Sequence, residues 1–360
     1  MEFQPVAAME LLRIAVRNQS VFESVEQLDE FITRPSPAVV DAVGKLQGDV
    51  TVLGAGGKMG FHLCRMLQRA IQQLRQDSSV HAVSRFSSAA SRELMRQHGI
   101  DTHAVDLSDR VALSRLPVTA NVFFLAGVKF GTANNPKLLQ QMNVEMPAMV
   151  AQHYAESRIT ALSTGCVYSL TTPDSGGSRE DDELDPPGKY ARSCLGREQA
   201  FITGSLQHGT PLSLVRLNYS IDLRYGVLVD IAQQVFRNQA VNVDAGHVNV
   251  IWQGDAISQI IRCLPLANRS PVVMNVTGSE TLSVRQVADQ FGRRFGNPVK
   301  FVGSEAATCW LSNNARSRAL FGESSVDVEQ MIDWIADWLS RDGVTLGKPT
   351  HFQNREGSYD

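Results

Sequence analysis

Asp49-Val-Thr-Val-Leu-Gly-Ala-Gly-Gly-Lys-Met-Gly60 is a short apolar run that meets four glycines within seven positions, Gly54, Gly56, Gly57 and Gly60. A strand ending in glycines lets the backbone turn sharply and approach a pyrophosphate without Cβ clashes. It also starts a helix whose free N–H groups face phosphates. Phe61 to Leu74 supplies that helix, with Leu63, Met66, Leu67, Ala70, Ile71 and Leu74 along one face. Strand, glycine turn and amphipathic helix together read as the opening of a dinucleotide-binding α/β fold. Lys58 and Met59 lie within the phosphate-facing turn.

The rest of the composition fits that reading. At 360 residues the chain is long enough for a large core and for two or three domains. A net charge of -3 gives no electrostatic case for nucleic acid. No apolar run approaches the roughly 20 residues that span a bilayer, and Met1-Glu-Phe-Gln-Pro does not begin as a signal peptide does. Five scattered cysteines without a CxxC pair point to a reduced, cytoplasmic setting, with neither a disulfide framework nor a cysteine-type zinc site. His247 and His351 are isolated, so no metal is expected.

Residues 1–48 precede the first strand and read as a helical extension: Ala7 to Val16, a segment capped by Ser20 or Ser24 and ending near Ile32, and Ser36-Pro37 opening Ala38 to Leu46. Such an extension packs on the sheet, covers a cofactor edge or mediates dimerisation. Downstream, Val80 to Val83 is the second strand and ends in Ser84-Arg85, without the carboxylate that would bond a ribose 2′-OH. A hydroxyl and a guanidinium there suit a 2′-phosphate, so NADP is favoured and NAD stays open. Leu94 to His98 belongs to a helix. Thr102 to Val105 is a strand that brings Asp106-Leu107 toward the adenine, and Val122 to Leu125 is a buried strand meeting Ala126-Gly127. A helix from Asn134 to Val150 carries Asn143. Arg158 to Leu162 forms a strand ending in Ser163-Thr164-Gly165-Cys166-Val167-Tyr168, a polar segment where open α/β sheets place ligands. Thr172 to Gly188 reads as a mobile flap, and Tyr190-Ala-Arg-Ser-Cys194 opens the next helix. Beyond residue 215, short strands and helices alternate less regularly. Leu212 to Leu217 and Val272 to Val276 are strands, and Leu228 to Arg237, Ser283 to Phe295 and Val328 to Leu339 are helices.

The ordered set of Gly54, Gly57 and Gly60, then Ser163-Thr164-Gly-Cys-Val-Tyr168, then the Tyr190 helix resembles the extended short-chain dehydrogenase/reductase superfamily. Within it, the NAD(P)-dependent sugar-nucleotide epimerase/dehydratase branch is the most similar. That resemblance implies a doubly wound parallel sheet (Rossmann) over residues 49–215, with 216–360 mainly a smaller substrate-binding domain that returns some segments to the sheet. It also implies a small-molecule substrate, a sugar or nucleotide sugar, and a homodimer. Tyr190 would be the acid/base and Thr164 would bond the reacting oxygen. The lysine expected one turn after the tyrosine is here Cys194, which shares the helix face but cannot act as a cation. A phenol needs a nearby ammonium to ionise near neutral pH. Lys129 is the best-placed substitute, ahead of Lys189 and Arg197. Cys166 resembles the epimerising cysteine of some sugar-nucleotide enzymes. Asn218, Arg224 and Tyr225 are substrate candidates, and Arg216 and Arg224 are candidate clamps for a phosphate or carboxylate. The rival reading is a dinucleotide-binding sensor or structural relative that lost catalysis with the lysine.

Overall fold

The computed structural model describes residues 21–132 and 135–357. Its centre is a seven-stranded, wholly parallel sheet. In chain order the strands are β1 (Val50–Leu53), β2 (Val80–Ser84), β3 (Asp101–Ala104), β4 (Asn121–Phe124), β5 (Arg158–Thr164), β6 (Leu212–Leu217) and β7 (Val272–Val276). In space they run β7-β6-β5-β4-β1-β2-β3, with Val50 opposite Val80 on one side and Asn121 on the other. The order reverses at β1, so the glycine turn leaves the sheet at the switch point, where a crevice forms beyond the strand ends. Successive side chains alternate faces. Val52 and Phe123 therefore enter one apolar core, and Leu53 and Phe124 enter a second core on the other face. The glycine turn opens helix α3 (Gly60–Leu74), whose buried stripe of Leu63, Met66, Leu67, Ala70 and Ile71 lies on the first of these cores, and α4 (Ala89–Gln97) and α5 (Arg110–Ser114) follow β2 and β3.

The N-terminal extension forms two helices, α1 (Val25–Ile32) capped by Ser24, and α2 (Pro37–Gly44) capped by Ser36 with proline in its first turn. The expected helix Ala7 to Val16, and Ser20, lie outside the described residues. Phe22 and Phe31 place edge-on aromatic contacts against Trp334 at 5.1 and 5.5 Å, and Phe31 meets Trp252 at 6.2 Å. The extension thus packs on the far half of the chain through its own hydrophobic residues.

Two expectations change. The helix expected from Asn134 to Val150 is a composite, α6 (Pro136–Gln140), a π-turn (Gln141–Glu145) and α7 (Met146–His153); Asn134 lies outside the described residues. Pro147 explains the break: it has no N–H for the Asn143 carbonyl four residues back, and its ring would clash there, so the turn widens. The segment expected to be a mobile flap, residues 172–188, is pinned. Ser178 donates its N–H to the Leu311 carbonyl at 2.9 Å and accepts from the Asn313 N–H at 2.8 Å, while the Glu180 carboxylate accepts from the Asn275 N–H at 2.9 Å. Beyond the large sheet, three two-stranded pairs involve residues 220–302, and among the described residues no helix is long and apolar enough to cross a membrane.

Candidate functional site

Three glycines of the turn each answer to a local constraint. Gly54 has φ +87°, and a Cβ there would lie 2.6 Å from the Ala126 nitrogen. At Gly60 a Cβ would be driven into the Ala55 carbonyl, and at Gly56 into the Ser84 hydroxyl. Strand ends and helix start therefore close together only with bare backbone. Beside this turn lies a cavity of about 350 Å³, lined among others by Gly54, Gly57, Lys58, Tyr190, Tyr225 and Thr350. Met59 and Gly60 also line it. Ser84, Arg85, Asp106, Ala126, Gly127 and Asn143 lie outside its lining.

Lys58 reaches across the cavity. Its Nζ donates to the Ser220 carbonyl at 3.1 Å and sits 4.1 Å from the Tyr225 ring centroid, a cation–π contact. Burial pushes this amine down to about 8, with Asp222 and Asp230 opposing the drop and Arg224 adding to it. Arg224, expected to meet substrate, is committed elsewhere: it pairs with Asp222 at 3.0 Å and with Asp29 of α1 at 2.9 Å. Asp29 also bonds His62 at 2.7 Å, and the Gln253 amide meets the other ring nitrogen at 2.6 Å. Arg216 is likewise spent. It holds Glu198 at 2.8 Å, Tyr168 Oη at 2.7 Å and the Glu180 carbonyl at 3.1 Å, and is 4% exposed. Neither arginine lines the cavity. Asn218, also expected at the substrate, is buried and donates to Asn249 Oδ1 at 2.6 Å.

At the end of β2, Ser84 stands against Gly56 and Arg85 is exposed. Burial tends to raise the Asp106 carboxyl, but the Ser108 hydroxyl at 2.7 Å, the Ser108 N–H at 2.9 Å and the nearby Arg85 charge hold it below the usual carboxylate range. The Leu107 side chain is packed with Leu53 and Val83 in the core rather than displayed. At the end of β4, the buried Asn143 brackets Val128, accepting its N–H and donating to its carbonyl, each at 3.0 Å. Asn143 also bonds Ser193 Oγ at 2.9 Å and Arg197 at 2.8 Å. A Cβ at Gly127 would meet the Arg197 guanidinium, which would have to shift to make room.

Tyr190 lies in the first turn of α8 (Gly188–His208). Burial and the adjacent Cys194 raise its phenol well above the ordinary value, while the Arg197 charge works the other way. Lys129 Nζ is 6.0 Å from the Tyr190 ring centroid and donates to the Thr350 carbonyl at 3.4 Å. Burial lowers the Lys129 amine, opposed by Cys166, Cys194 and Asp230. Lys129 is therefore the lysine brought to Tyr190, whereas Lys189 is exposed. Cys194 is fully buried, its thiol raised first by burial, and Cys166 is 7% exposed among Ala191 and Trp310. Thr164 Oγ1 accepts the Cys166 N–H at 3.2 Å, which leaves its own hydroxyl proton to donate. Neither Thr164 nor the two cysteines line the cavity.

Several residues at the site carry no short-range sequence signal. Tyr219, a cavity wall with φ +41°, adopts a backbone conformation that a bulky side chain rarely takes. Thr350, 4% exposed, comes from the far end of the chain. Among the described residues, no group of three or more His, Cys, Asp or Glu is arranged to hold a metal ion.

Comparison with known proteins gives a consistent picture of the architecture. Residues 50–218 match the model of the NAD dependent epimerase/dehydratase family. A UDP-glucuronic acid 4-epimerase from Bacillus cereus, solved in complex with NAD, superposes with a TM-score of 0.68 at 16% identity, covering 81% of this chain and 99% of that one. The Bordetella bronchiseptica enzyme WbmG, in complex with NAD and UDP, gives 0.67 at 18% identity, over 84% and 97%. UDP-glucose 4-epimerase from Thermotoga maritima, with UDP-glucose, gives 0.65 at 15% identity, over 82% and 99%. At these identities the likeness is one of fold. No curated protein matches by sequence.

Proposed function

We propose that the protein is a nicotinamide-dinucleotide-dependent oxidoreductase or epimerase acting on a sugar or nucleotide sugar, a reading supported by the match of residues 50–218 to the model of the NAD dependent epimerase/dehydratase family. The observation that carries this reading is one cavity containing both the glycine turn and Tyr190 with Lys129 beside it. The turn fits a dinucleotide pyrophosphate: a Cβ at Gly54, Gly56 or Gly60 would strike backbone or Ser84, and α3 begins there with its free N–H groups. Ser84 and Arg85, with no carboxylate between them, favour NADP over NAD. Residues 49–215 would hold the cofactor and 216–360 most of the substrate, with Tyr225 against it.

The bound dinucleotide supplies the two-electron acceptor or donor. The chain's own residues handle the proton and the orientation. Tyr190 takes the proton from a substrate hydroxyl as its carbon is oxidised and returns it on reduction. Thr164 donates a hydrogen bond to the reacting oxygen. Lys129 supplies the positive charge that the Cys194 position lacks, favouring the phenolate against burial. Cys166, adjacent to Thr164, would move a C–H proton only if the substrate is epimerised beside a carbonyl. The same reading includes a reduced compartment, since all five cysteines are buried and free, and a homodimer, which light scattering would reveal.

Turnover of a panel of UDP-hexoses and UDP-uronic acids with NADP and NAD is the direct test. Activity that Tyr190→Phe abolishes and Lys129→Met reduces at least 100-fold supports the enzyme. The second reading, a binding protein that lost catalysis, is favoured by one observation: burial and Cys194 both push the Tyr190 phenol up. Under that reading wild type is inert across the panel and Cys194→Lys creates activity or tightens NADP binding.

A further inference from the structure

The last described stretch, residues 347–357, contributes Thr350 to the cavity wall and is tied down at several points. Leu346 donates its N–H to the Arg224 carbonyl at 2.9 Å just before it. Thr350 donates both its N–H, at 2.7 Å, and its hydroxyl, at 2.6 Å, to one carboxylate oxygen of Asp230, while its carbonyl accepts from Lys129 Nζ. Phe352 is buried in the main core at 4% exposure, and Arg355 donates to Thr308 Oγ1 at 2.6 Å. At the far end, the Gly357 carbonyl accepts the Tyr190 N–H at 3.1 Å. That bond satisfies a first-turn amide of α8, whose N-cap is Pro187 with no capping side chain. The fit is close on both sides: a Cβ at Gly188 would strike the Glu356 carbonyl, and one at Gly357 the Pro187 carbonyl.

We infer that residues 347–357 form a strap that completes the active site in place of the missing helical lysine, with Asp230 and Thr350 acting as positioning residues that hold Lys129 beside Tyr190. The inference rests on the reading of Lys129 as the cation for Tyr190. An ammonium on the helix that carries the tyrosine is fixed by that helix, because residues four apart share a face. Lys129 leaves from a loop after β4, so its long stem must be fixed by something else. The Thr350 carbonyl directs the ammonium, and the Asp230 carboxylate fixes Thr350 through two charge-assisted hydrogen bonds, which are roughly twice as strong as neutral ones. The Gly357 bond ties the same segment to the first turn of the tyrosine's own helix. Both members of the pair therefore depend on one strand of chain.

Competitive acetylation of the full-length protein with trace acetic anhydride, read by peptide mass spectrometry, tests the strap without cofactor or substrate. In wild type, Lys129 is expected to label at least tenfold more slowly than the exposed Lys137. Thr350→Val removes the hydroxyl at nearly constant shape and should raise Lys129 labelling several-fold; Thr350→Ser keeps the hydroxyl and should match wild type. Asp230→Ala should behave like Thr350→Val. If Lys129 labels equally in wild type, Thr350→Val and Asp230→Ala, the strap does not position it and the inference is overturned. On any nucleotide sugar that turns over, Thr350→Val should shift the acid limb of the kcat profile to higher pH, in the direction of Lys129→Met, with Thr350→Ser unshifted. Faster labelling in Thr350→Val together with undiminished turnover in Lys129→Met would sink the reading of Lys129 itself. Loss of turnover in Lys129→Met, with labelling and pH profile unmoved by Thr350→Val, would sink only the strap.

Discussion

Lys58 is a single residue on which the cavity turns twice, as a wall and as a charge. Its amine, lowered to about 8 by burial, is protonated at neutral pH and loses its charge as the pH rises through that value. An anionic ligand at the glycine turn gains from the ammonium and not from the neutral amine. NADPH binding, followed by fluorescence titration, should therefore weaken several-fold between pH 7 and pH 9 in wild type. Lys58→Met should bind more weakly at pH 7 and lose that slope. A wild-type affinity flat across this range would show that Lys58 does not meet the anion. Gly60 presents the opposite case, a residue with no side chain to contribute. Gly60→Ala places a Cβ in the Ala55 carbonyl, which is backbone and cannot swing aside. It should abolish dinucleotide binding and lower the melting temperature by several degrees, whereas Gly296→Ala, with open space around its Cβ, costs only its strained φ of +68°.

At the scale of elements, the π-turn at Gln141–Glu145 and the loop after β4 are one unit joined by Asn143. Asn143→Ala would leave the Val128 N–H and the Arg197 guanidinium without their partner in a buried setting. Stranding a buried donor costs about 1–3 kcal/mol, more for a charged one. Urea unfolding should thus show a loss of roughly 3 kcal/mol, and because Val128 precedes Lys129, turnover should fall with it. A loss under 0.5 kcal/mol would mean that water replaces Asn143 freely. Elements of this kind divide into what local sequence announces and what it cannot. The strands around Val52 and Phe123, the caps Ser24 and Ser36 and the stripe on α3 follow from side-chain alternation, capping chemistry and helical period, all settled within a few residues. The π-turn needed the steric effect of Pro147 on Asn143, also local, yet the apolar pattern runs through it unbroken. The site's couplings are different in kind. Lys58 with Tyr225, Arg224 with Asp29, and Thr350 with Asp230 are separated by more than a hundred residues, and no periodicity relates them. An arginine in a glycine-flanked loop looks the same in sequence whether it awaits a phosphate or is already neutralised by two aspartates.

At the scale of the molecule, the N-terminal extension is bonded into the fold by charge as well as by apolar packing. Asp29 joins α1 to Arg224 and to His62 of α3, and therefore to the loop that carries Tyr225. Asp29→Ala leaves Arg224 with Asp222 and the His62 ring nitrogen at 3.3 Å, and one lost charged partner should cost about 1–3 kcal/mol. The drop in melting temperature should be accompanied by weaker substrate binding, since Tyr225 follows Arg224 directly. Unchanged binding with lowered stability would confine the extension to a packing role.

The aromatic contacts of that extension also bear on how the protein can be watched. Of its four tryptophans, Trp252 and Trp334 meet Phe31, Trp338 lies on the same helix as Trp334, and Trp310 sits beside Cys166. No strand of the seven-stranded sheet contains one. Intrinsic emission therefore reports chiefly on the seat of the extension, and far-ultraviolet dichroism on the sheet and helices. The two signals will superimpose on heating if extension and sheet unfold as one cooperative body, and the emission will shift first if the extension peels away while the dinucleotide fold survives.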